Sequence, residues 1–161
     1  MDHPELRFRP LTPDDYPPLL DWLQRPHVKE WWDDDDDTLE KVAAHYSDPD
    51  AERFILLYQE AGSMDEARPI GYFQYYLEED DVVGIDQFIG KADLLNRGLG
   101  TAAVRAFLQL VIARENPRRI ILDPAPENAR AIRCYEKAGF RHYETVLTDE
   151  GKQAYMMKID R

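Results

Sequence analysis

The 161 residues are enough for one globular domain with a buried core, and the hydrophobic content of 43% is ordinary for such a domain. Acidic residues outnumber basic ones by 32 to 20, and the formal net charge of −12 argues against nucleic-acid binding, which depends on Lys and Arg. No apolar run approaches the roughly 20 residues that cross a bilayer, and the single cysteine, Cys134, cannot form an internal disulfide. We therefore expect a cytoplasmic protein, residues 1–161 forming a single domain, with neither a nucleic-acid nor a membrane partner. The acidic surface would attract cationic molecules, although solubility alone also explains it.

The N-terminal part of the chain predicts one strand and two helices. Alternation over residues 6–9 indicates a strand. Thr12, followed by a proline and by an acid three residues on, is typical of a helix start, and Pro26 is expected to end that helix. A second helix is predicted over about residues 38–46, and the aspartates at 33–37 would stabilise its positive N-terminal end. These aspartates thus have a purely structural explanation.

The middle of the chain predicts an antiparallel sheet. Strands are expected over residues 54–58, 69–77 and 82–89, because each segment is rich in apolar and aromatic residues. The acidic segment 78–81 between the last two is short enough for a tight hairpin.

Helices alternate with strands in the second half of the chain. The predicted elements are a helix at 98–115, a strand at 119–122, a helix at 128–138, and strands at 141–147 and 153–159. Gly139 suits the C-terminal end of the second helix. A strand, a helix and a strand in succession demand a parallel pair. The segment that opens the first helix follows a strand end, where open α/β sheets bind ligands.

A short glycine turn, Gly98-Leu99-Gly100-Thr101, opens the first of these helices. The N–H groups of a first helical turn have no partner within the helix and lie at the positive end of its dipole, which suits a phosphate. The turn has neither the third glycine of a dinucleotide-binding fingerprint nor the Gly-Lys-Ser/Thr of a P-loop. By itself it is equally explained as a strand-to-helix connection. Asn128 and Tyr135 on the following helix make the pattern more specific.

These motifs, in this order, resemble the GNAT acetyltransferase superfamily and, within it, the aminoglycoside 6′-N-acetyltransferases. The resemblance covers almost the whole chain and is carried by residues 22–23, 30–32, 71–76, 84–87, 98–101 and 123–140. It implies an α/β (α+β) GNAT fold, with a single mixed sheet of six to seven strands flanked by about four helices. It also implies an N-acetyltransferase that uses acetyl-CoA (CoA) as co-substrate, requires no metal and acts, as a monomer or homodimer, on a cationic small-molecule amine. Leu95 departs from the superfamily, which usually has Arg or Gln there.

The resemblance also assigns residues to the cofactor and to the amine that accepts the acetyl group. Those implied to contact the cofactor are Gln87, Phe88, Ile89, Asn96, Arg97, Gly98, Leu99, Gly100, Thr101, Asn128, Ala131 and Lys137. Those implied to contact the acceptor are Trp32, Tyr46, Gln74, Tyr76, Asp86 and Asp123. Other roles stay open for some of them. Asn128 would also cap its helix, Lys137 would be solvated, and Trp32 and Tyr76 would belong to the core.

Acetyl transfer from a thioester to an amine requires a base and an acid. An alkylammonium has a pKa of about 10, so a base must remove its proton near pH 7. Asp86 could hold the ammonium and take this proton if burial raises the carboxyl pKa above its usual value of about 4. Tyr135 could protonate the departing thiolate. The resemblance gives both residues these catalytic roles in a direct attack. The alternatives are an aspartate that binds a backbone N–H and a hydrogen-bonded core tyrosine.

The other reactive residues indicate no further mechanism. Cys134 has no histidine at a recognisable spacing, so a thiol nucleophile is not expected. The four histidines have no metal-ligand spacing, and no serine lies in a nucleophile elbow.

One departure from the resembled enzymes leaves the acceptor open. Those enzymes carry a longer loop, with tryptophans and acids that hold the antibiotic, where this chain has residues 78–81. Other candidate acceptors are a siderophore precursor, a polyamine or a protein amine. Siderophore-type relatives tend to have a histidine at the position of Asp86, which disfavours the first of these. A non-catalytic, CoA-binding regulatory module is the alternative from another functional class.

Overall fold

The computed structural model describes residues 4–94 and 98–161. Within them the strands are β1 (Glu5–Pro10), β2 (Glu52–Gln59), β3 (Arg68–Glu79), β4 (Val82–Ile89), β5 (Arg119–Leu122), β6 (Arg141–Leu147) and β7 (Gln153–Asp160). The α-helices there are α1 (Tyr16–Gln24), α2 (Pro26–Lys29), α3 (Leu39–Tyr46), α4 (Leu99–Glu115) and α5 (Ala129–Lys137). None of these helices is long and apolar enough to cross a membrane.

The strands form one mixed sheet in the order β1-β2-β3-β4-β5-β7-β6. Strands β1 and β2 pair antiparallel, as do β5 with β7 and β6 with β7. Strands β4 and β5, which flank α4 in the chain, pair in parallel, with Val83 opposite Ile120. The predicted fold class and the parallel pair around the glycine turn are therefore confirmed.

The prediction that a helix ends at Pro26 was incomplete, because Pro26 also begins the short helix α2. Arg25 is extended, with ψ of 135°, as expected for a residue that precedes proline. Proline is tolerated as the first residue of a helix, where its missing N–H would have no helical acceptor. The segment that leads to Trp32 is thus one helical turn followed by loop.

Strand β3 continues to Glu79, two residues beyond its predicted end. The connection to β4 therefore shortens to Asp80 and Asp81. Asp81 has a φ of 64°, in the left-handed region that aspartate tolerates better than most residues. The hairpin is tighter than the predicted segment 78–81.

Residue contacts group the chain into two compact units, the first comprising Met1–Gln74 with Gln87–Arg97 and the second Tyr75–Asp86 with Gly98–Arg161. A single-domain organisation stays a prediction. The core of the first unit contains residues from α1, α2, α3, β2 and β3, namely Leu19, Trp22, Leu23, Val28, Val42, Tyr46, Ile55 and Tyr72. Its N-terminal corner is fixed by Asp15, whose carboxylate accepts two hydrogen bonds of 2.7 Å from Arg9 and one of 2.8 Å from the Thr12 N–H.

The core of the second unit is built on the apolar face of α4. Ala103, Val104, Phe107, Leu108 and Val111 are buried at helical spacing. Burial of each large side chain contributes about 1.5–3 kcal/mol. This face therefore fixes the helix whose first turn carries the two glycines.

Candidate active site

The glycine turn precedes α4 as the sequence predicts. Gly98 is the N-cap, with a φ of 75° that favours glycine, and among the described residues no atom lies within 4 Å of where its Cβ would be. The first helical hydrogen bond runs from the Ala102 N–H to the Gly98 oxygen at 3.2 Å, so the N–H groups of residues 99–101 precede the helical ladder. Leu99 is buried, which leaves its N–H as the group it can offer a ligand. The predicted cofactor residues Asn96 and Arg97, and Leu95, lie outside the described residues.

The first turn of α4 packs against α5. A Cβ on Gly100 would lie 3.4 Å from the Cys134 sulfur, and the Thr101 hydroxyl donates to that sulfur at 3.6 Å. Burial raises the pKa of the Cys134 thiol, so the sulfur stays protonated near neutral pH. This agrees with the prediction that Cys134 is not a nucleophile.

Helix α5 is strongly amphipathic, yet none of its nine residues is fully buried. Ala131, Ile132, Cys134 and Tyr135 form an apolar face that is only half-covered. The Asn128 oxygen accepts from the Ala131 N–H at 3.3 Å, so Asn128 caps the helix. The capping alternative is therefore observed, and a second role for Asn128 in cofactor binding stays a prediction.

The ring of Tyr135 is held at one edge. Its centroid lies 6.2 Å from that of Phe140, with the planes at 66°, in an edge-to-face contact that restricts ring rotation. The Tyr135 carbonyl accepts from the Phe140 N–H at 3.0 Å, which fixes the end of the helix. Lys137 is exposed, and its carbonyl accepts from Arg105 at 2.7 Å.

Three predicted acceptor residues of the second unit, Tyr76, Asp86 and Asp123, form one electrostatic group. Burial raises the pKa of Tyr76, and the negative charges of Asp86 and Asp123 raise it further. The phenol is therefore a neutral hydrogen-bond donor at physiological pH. A Cβ on Gly84 would overlap the Tyr76 ring, 2.6 Å from Cε2, so glycine is required where β4 passes beneath that ring.

Asp123 follows the last residue of β5. It reaches solvent, but the surrounding protein desolvates the carboxylate, and with the charge of Glu78 this raises the pKa of Asp123 above the ordinary 3.8. The sequence analysis did not select Glu78 as a candidate site residue. Its position next to the predicted hairpin was the one feature that could have indicated such a role.

Two of the three predicted acceptor residues of the first unit, Trp32 and Tyr46, lie in an aromatic cluster with Tyr72 and Phe88. The Trp32 ring is 5.1 Å from Phe88 and 5.9 Å from Tyr72, and Tyr46 is 5.2 Å from Tyr72. The Trp32 indole N–H donates to the Tyr46 hydroxyl at 3.2 Å. Burial raises the pKa of Tyr46, whose side chain belongs to the core. Only Trp32 and Phe88 are half-exposed, so the cluster offers a ligand one edge rather than four separate rings.

The two other predicted cofactor residues at the end of β4, Gln87 and Ile89, are half-buried. The Ile89 oxygen lies 3.0 Å from the imidazole Nε2 of His27. Phe88 contributes its half-exposed ring to the aromatic cluster, and its predicted contact with a cofactor stays a prediction.

Gln74 is fixed by two residues that the sequence analysis did not single out. Its side-chain oxygen accepts from Arg53 at 2.8 Å and from the Tyr72 hydroxyl at 2.6 Å. Tyr72 lies within the segment 71–76 that carries the resemblance. The sequence offers no comparable signal for Arg53, since β2 also carries the polar residues Glu52 and Gln59.

Two of the aspartates at 33–37 contact side chains of α3. Asp37 binds Lys41 at 2.8 Å, and Asp36 contacts His45 at 2.7 Å. One ligand atom each of Asp34, Asp36 and His45 lie within 4.8 Å of one another, a spacing that a cation could use and that exposed acids also adopt without one. Asp36 and Asp37 thus have side-chain partners on α3, while the predicted stabilisation of the N-terminal end of that helix stays a prediction.

Comparison with known proteins gives consistent results. The family model for the acetyltransferase (GNAT) domain matches residues 12–148. An aminoglycoside N(6′)-acetyltransferase type 1 from Klebsiella pneumoniae is 39% identical, over 94% of this chain and 81% of that protein. A kanamycin resistance protein from Rhizobium radiobacter is 46% identical over 53% of this chain and 81% of its own length.

Solved structures show the same likeness. The structure of AAC(6′)-Ib with paromomycin and acetyl-CoA has a TM-score of 0.85 and 36% identity, covering 98% of this chain and 94% of that one. AAC(6′)-Ib with coenzyme A and kanamycin has a TM-score of 0.84 and 36% identity, covering 98% and 95%. The fold, the motifs and these matches together place the chain in the GNAT family of acetyltransferases.

Proposed function

We propose that the protein transfers the acetyl group of acetyl-CoA to a primary amine of a cationic small molecule, with aminoglycosides as the first class to test. The observation that carries this proposal is the group formed by Tyr76, Asp86 and Asp123 in the same unit as the glycine turn and Tyr135. One curated relative is named as an aminoglycoside N(6′)-acetyltransferase and another as a kanamycin resistance protein, and the two related structures contain acetyl-CoA or coenzyme A.

The donor binds to the second unit. The N–H groups of residues 99–101 hold its pyrophosphate at the positive end of α4. The half-covered apolar face of α5 is the surface its pantetheine arm would cover, with Asn128 and Ala131 beside it. Lys137 is free to turn towards a phosphate because its side chain is exposed. The family resemblance also implies donor contacts from residues 87–89 of the first unit and from Asn96 and Arg97, which lie outside the described residues.

Asp86 acts as the base and Tyr135 as the acid. Asp86 accepts a proton from the bound ammonium, and the amine nitrogen then attacks the thioester carbonyl, forming the C–N bond as the C–S bond breaks. Tyr135 gives its phenolic proton to the leaving sulfur. The acylated nitrogen releases its remaining extra proton to solvent, and the Tyr135 phenolate and protonated Asp86 return to their starting states by exchange with solvent. Proton transfer of this kind contributes typically 10²- to 10⁴-fold to a rate. No acyl-enzyme is formed.

Cationic acceptors suit the charge of the site. In the second unit, carboxylates on Asp86 and Asp123 bind ammonium groups. In the first unit, considered by itself, the exposed edge of Trp32 offers an aromatic surface to an apolar ring. The connection between β3 and β4 consists of only Asp80 and Asp81, so this chain lacks the longer loop that holds the antibiotic in the resembled enzymes. We therefore expect a different range of aminoglycosides from theirs, with acceptors bound less tightly.

The test combines calorimetric titration of CoA with a free-thiol assay over an amine panel that includes kanamycin, ribostamycin, spermidine and a lysine peptide. Thiol release that depends on an aminoglycoside supports the proposal. CoA binding without thiol release for any amine would instead identify a non-catalytic CoA-binding module. Release with spermidine or the peptide alone would move the acceptor to another class.

A further inference from the structure

We infer that Arg53 is a positioning residue for binding of the acceptor amine. Arg53 fixes the orientation of Gln74 and of the aromatic cluster, which are the groups proposed to contact the acceptor. The inference rests on the proposed function, because those residues are assigned there to acceptor binding. Arg53 lies on β2, outside every motif that carries the family resemblance, and its side chain is only 6% exposed. A buried guanidinium needs a partner for each N–H, so its neighbours are strongly constrained.

The guanidinium directs its donors to two different sets of partners. One terminal nitrogen donates to the Tyr72 hydroxyl at 2.9 Å and to the Gln74 oxygen at 2.8 Å. The other donates to the Asp50 carboxylate at 2.6 Å. Weaker contacts of 3.4 Å reach the backbone oxygens of His45 and Asp48. One terminal nitrogen of the cation thus binds Asp50 in the loop before β2, while the other binds Tyr72 and the predicted acceptor residue Gln74.

Arg53 determines which end of Gln74 points inward. Arginine can only donate hydrogen bonds, so the Gln74 atom 2.8 Å from it must be the amide oxygen. The Tyr72 hydroxyl, at 2.6 Å, occupies the second lone pair of that oxygen. The Gln74 amide is therefore held in one orientation, with its oxygen towards Arg53 and Tyr72.

The same cation supports the aromatic cluster. The guanidinium carbon lies 5.3 Å from the centroid of the Tyr46 ring, within the range of a cation–π contact. Tyr46 in turn accepts the hydrogen bond from the Trp32 indole. The positions of Gln74, Tyr46 and Trp32 thus depend on one charged group that itself has no surface to offer a ligand.

The competing explanation is that Arg53 only stabilises the fold through Asp50. Arg9 provides a matched control in the same unit, since it forms two 2.7 Å hydrogen bonds with Asp15 and serves the N-terminal corner instead. The variants to compare are Arg53→Met, Arg53→Lys and Arg9→Met, together with Gln74→Leu and the double variant Arg53→Met/Gln74→Leu. Arg53→Lys retains the charge without the forked geometry, and it remains informative if Arg53→Met does not fold.

In steady-state assays with the best amine of the panel, Arg53→Met is expected to raise KM for the acceptor about tenfold, with KM for acetyl-CoA unchanged. Arg53→Lys should show a smaller rise, and Arg9→Met should lower only the melting temperature. If Arg53 acts through Gln74, the double variant should be little worse than either single variant. Equal acceptor KM values in Arg53→Met and the wild type would overturn the inference, as would fully additive effects.

A second measurement needs no acceptor. In a Trp31→Phe background, Arg53→Met is expected to shift the tryptophan emission of the free protein, and Arg9→Met is not. The shift should be lost in a Trp31→Phe/Trp32→Phe background, which retains only Trp22. An unchanged emission would also overturn the inference. If the wild type acetylates no amine, the proposed function fails, while this measurement still decides whether Arg53 positions the cluster.

Discussion

The candidate site residues of the two units have different surroundings in the structure. In the first unit, the Trp32 indole, the Tyr46 hydroxyl and the Gln74 oxygen all have protein partners within 3.2 Å. In the second unit, α5 leaves its apolar face half-covered, and the pKa values of Tyr76 and Asp123 are raised by incomplete solvation and by neighbouring charge. The proposed acceptor surface of the first unit is therefore fixed by contacts within the protein, whereas two ionisable groups of the second unit have raised pKa values, as is common for groups that take part in catalysis. Substitutions in the first should change stability or binding, and those in the second should change rate.

The largest effect is expected for Asp86→Asn, which keeps the shape of the side chain and removes the base. We expect kcat to fall about 10²- to 10⁴-fold, because the acceptor nitrogen would remain protonated near pH 7. Calorimetric CoA affinity and the melting temperature should change little, and both serve as controls for folding. A kcat near that of the wild type would remove Asp86 from the mechanism and break the contrast between the units.

Tyr135→Phe should have the next largest effect, lowering kcat about 10- to 100-fold. The loss is smaller because a thiol has a pKa of about 8.5, so the thiolate can also leave unprotonated or take its proton from water. The Phe140 contact should survive, since it involves the ring and not the hydroxyl. Free-thiol release measures the rate, and unaltered turnover would indicate that Tyr135 is only a packing residue.

Gly84→Ala tests whether the Tyr76 ring must lie where it does. The added methyl group would overlap the ring, so Tyr76 has to move, which should raise acceptor KM about tenfold. Overpacking of this kind costs about 1–3 kcal/mol in the free energy of unfolding. Kinetics and urea unfolding measure the two effects. Adding Tyr76→Ser should bring no further loss of acceptor binding, and a full additional loss would contradict the proposed contact.

The smallest effect is a pH dependence of stability in the first unit. Burial alone would raise the pKa of Asp15, but the hydrogen bonds from Arg9 and the Thr12 N–H outweigh it and hold the pKa below 3.8. A carboxyl whose pKa is lowered by folding stabilises the protein above its unfolded pKa and loses that contribution as pH falls through the folded value. Because the Arg9 side chain is 37% exposed, we expect solvent screening to limit the loss to about 1–2 kcal/mol.

Urea unfolding of the wild type and of Asp15→Asn between pH 7 and pH 3 measures this contribution. The variant should be less stable at pH 7, and the two curves should converge as pH falls below 4. A constant difference across this range would show that the ion pair does not contribute through the charge of Asp15.

Elements with a strong local signal were predicted from the sequence, as α4 and its N-cap illustrate. Its apolar residues recur at helical spacing, and Gly98 adopts the left-handed conformation for which glycine is best suited. The helix after Pro26 was missed because a proline both ends one helix and begins another, and sequence alone does not say which. The end of β3 was placed short because Glu78 and Glu79 look like turn residues, although their backbone pairing extends the strand.

Candidate site residues were likewise predicted where the local sequence carried a strong signal. Asp86, Tyr135 and the glycine turn stood in recognisable motifs, whereas Arg53 became evident only when folding buried it beside Gln74. Its partners are 3 to 21 residues away in the chain, and no local pattern encodes such a set. Long-range hydrogen bonding of a buried charge is a property of the fold, which is why sequence reasoning missed it.

The two-residue hairpin between β3 and β4 has a consequence for how this enzyme could diversify. Its tip is exposed, and each doubling of a loop's length costs only about 0.6 kcal/mol in closure entropy, so insertions there would be well tolerated. The glycine turn and α5 lie elsewhere in the chain and would be left unchanged by such an insertion. A lineage with this fold could therefore change its range of amine substrates through a short duplication or deletion in one stretch of its gene, without altering the proposed site of the acetyl donor.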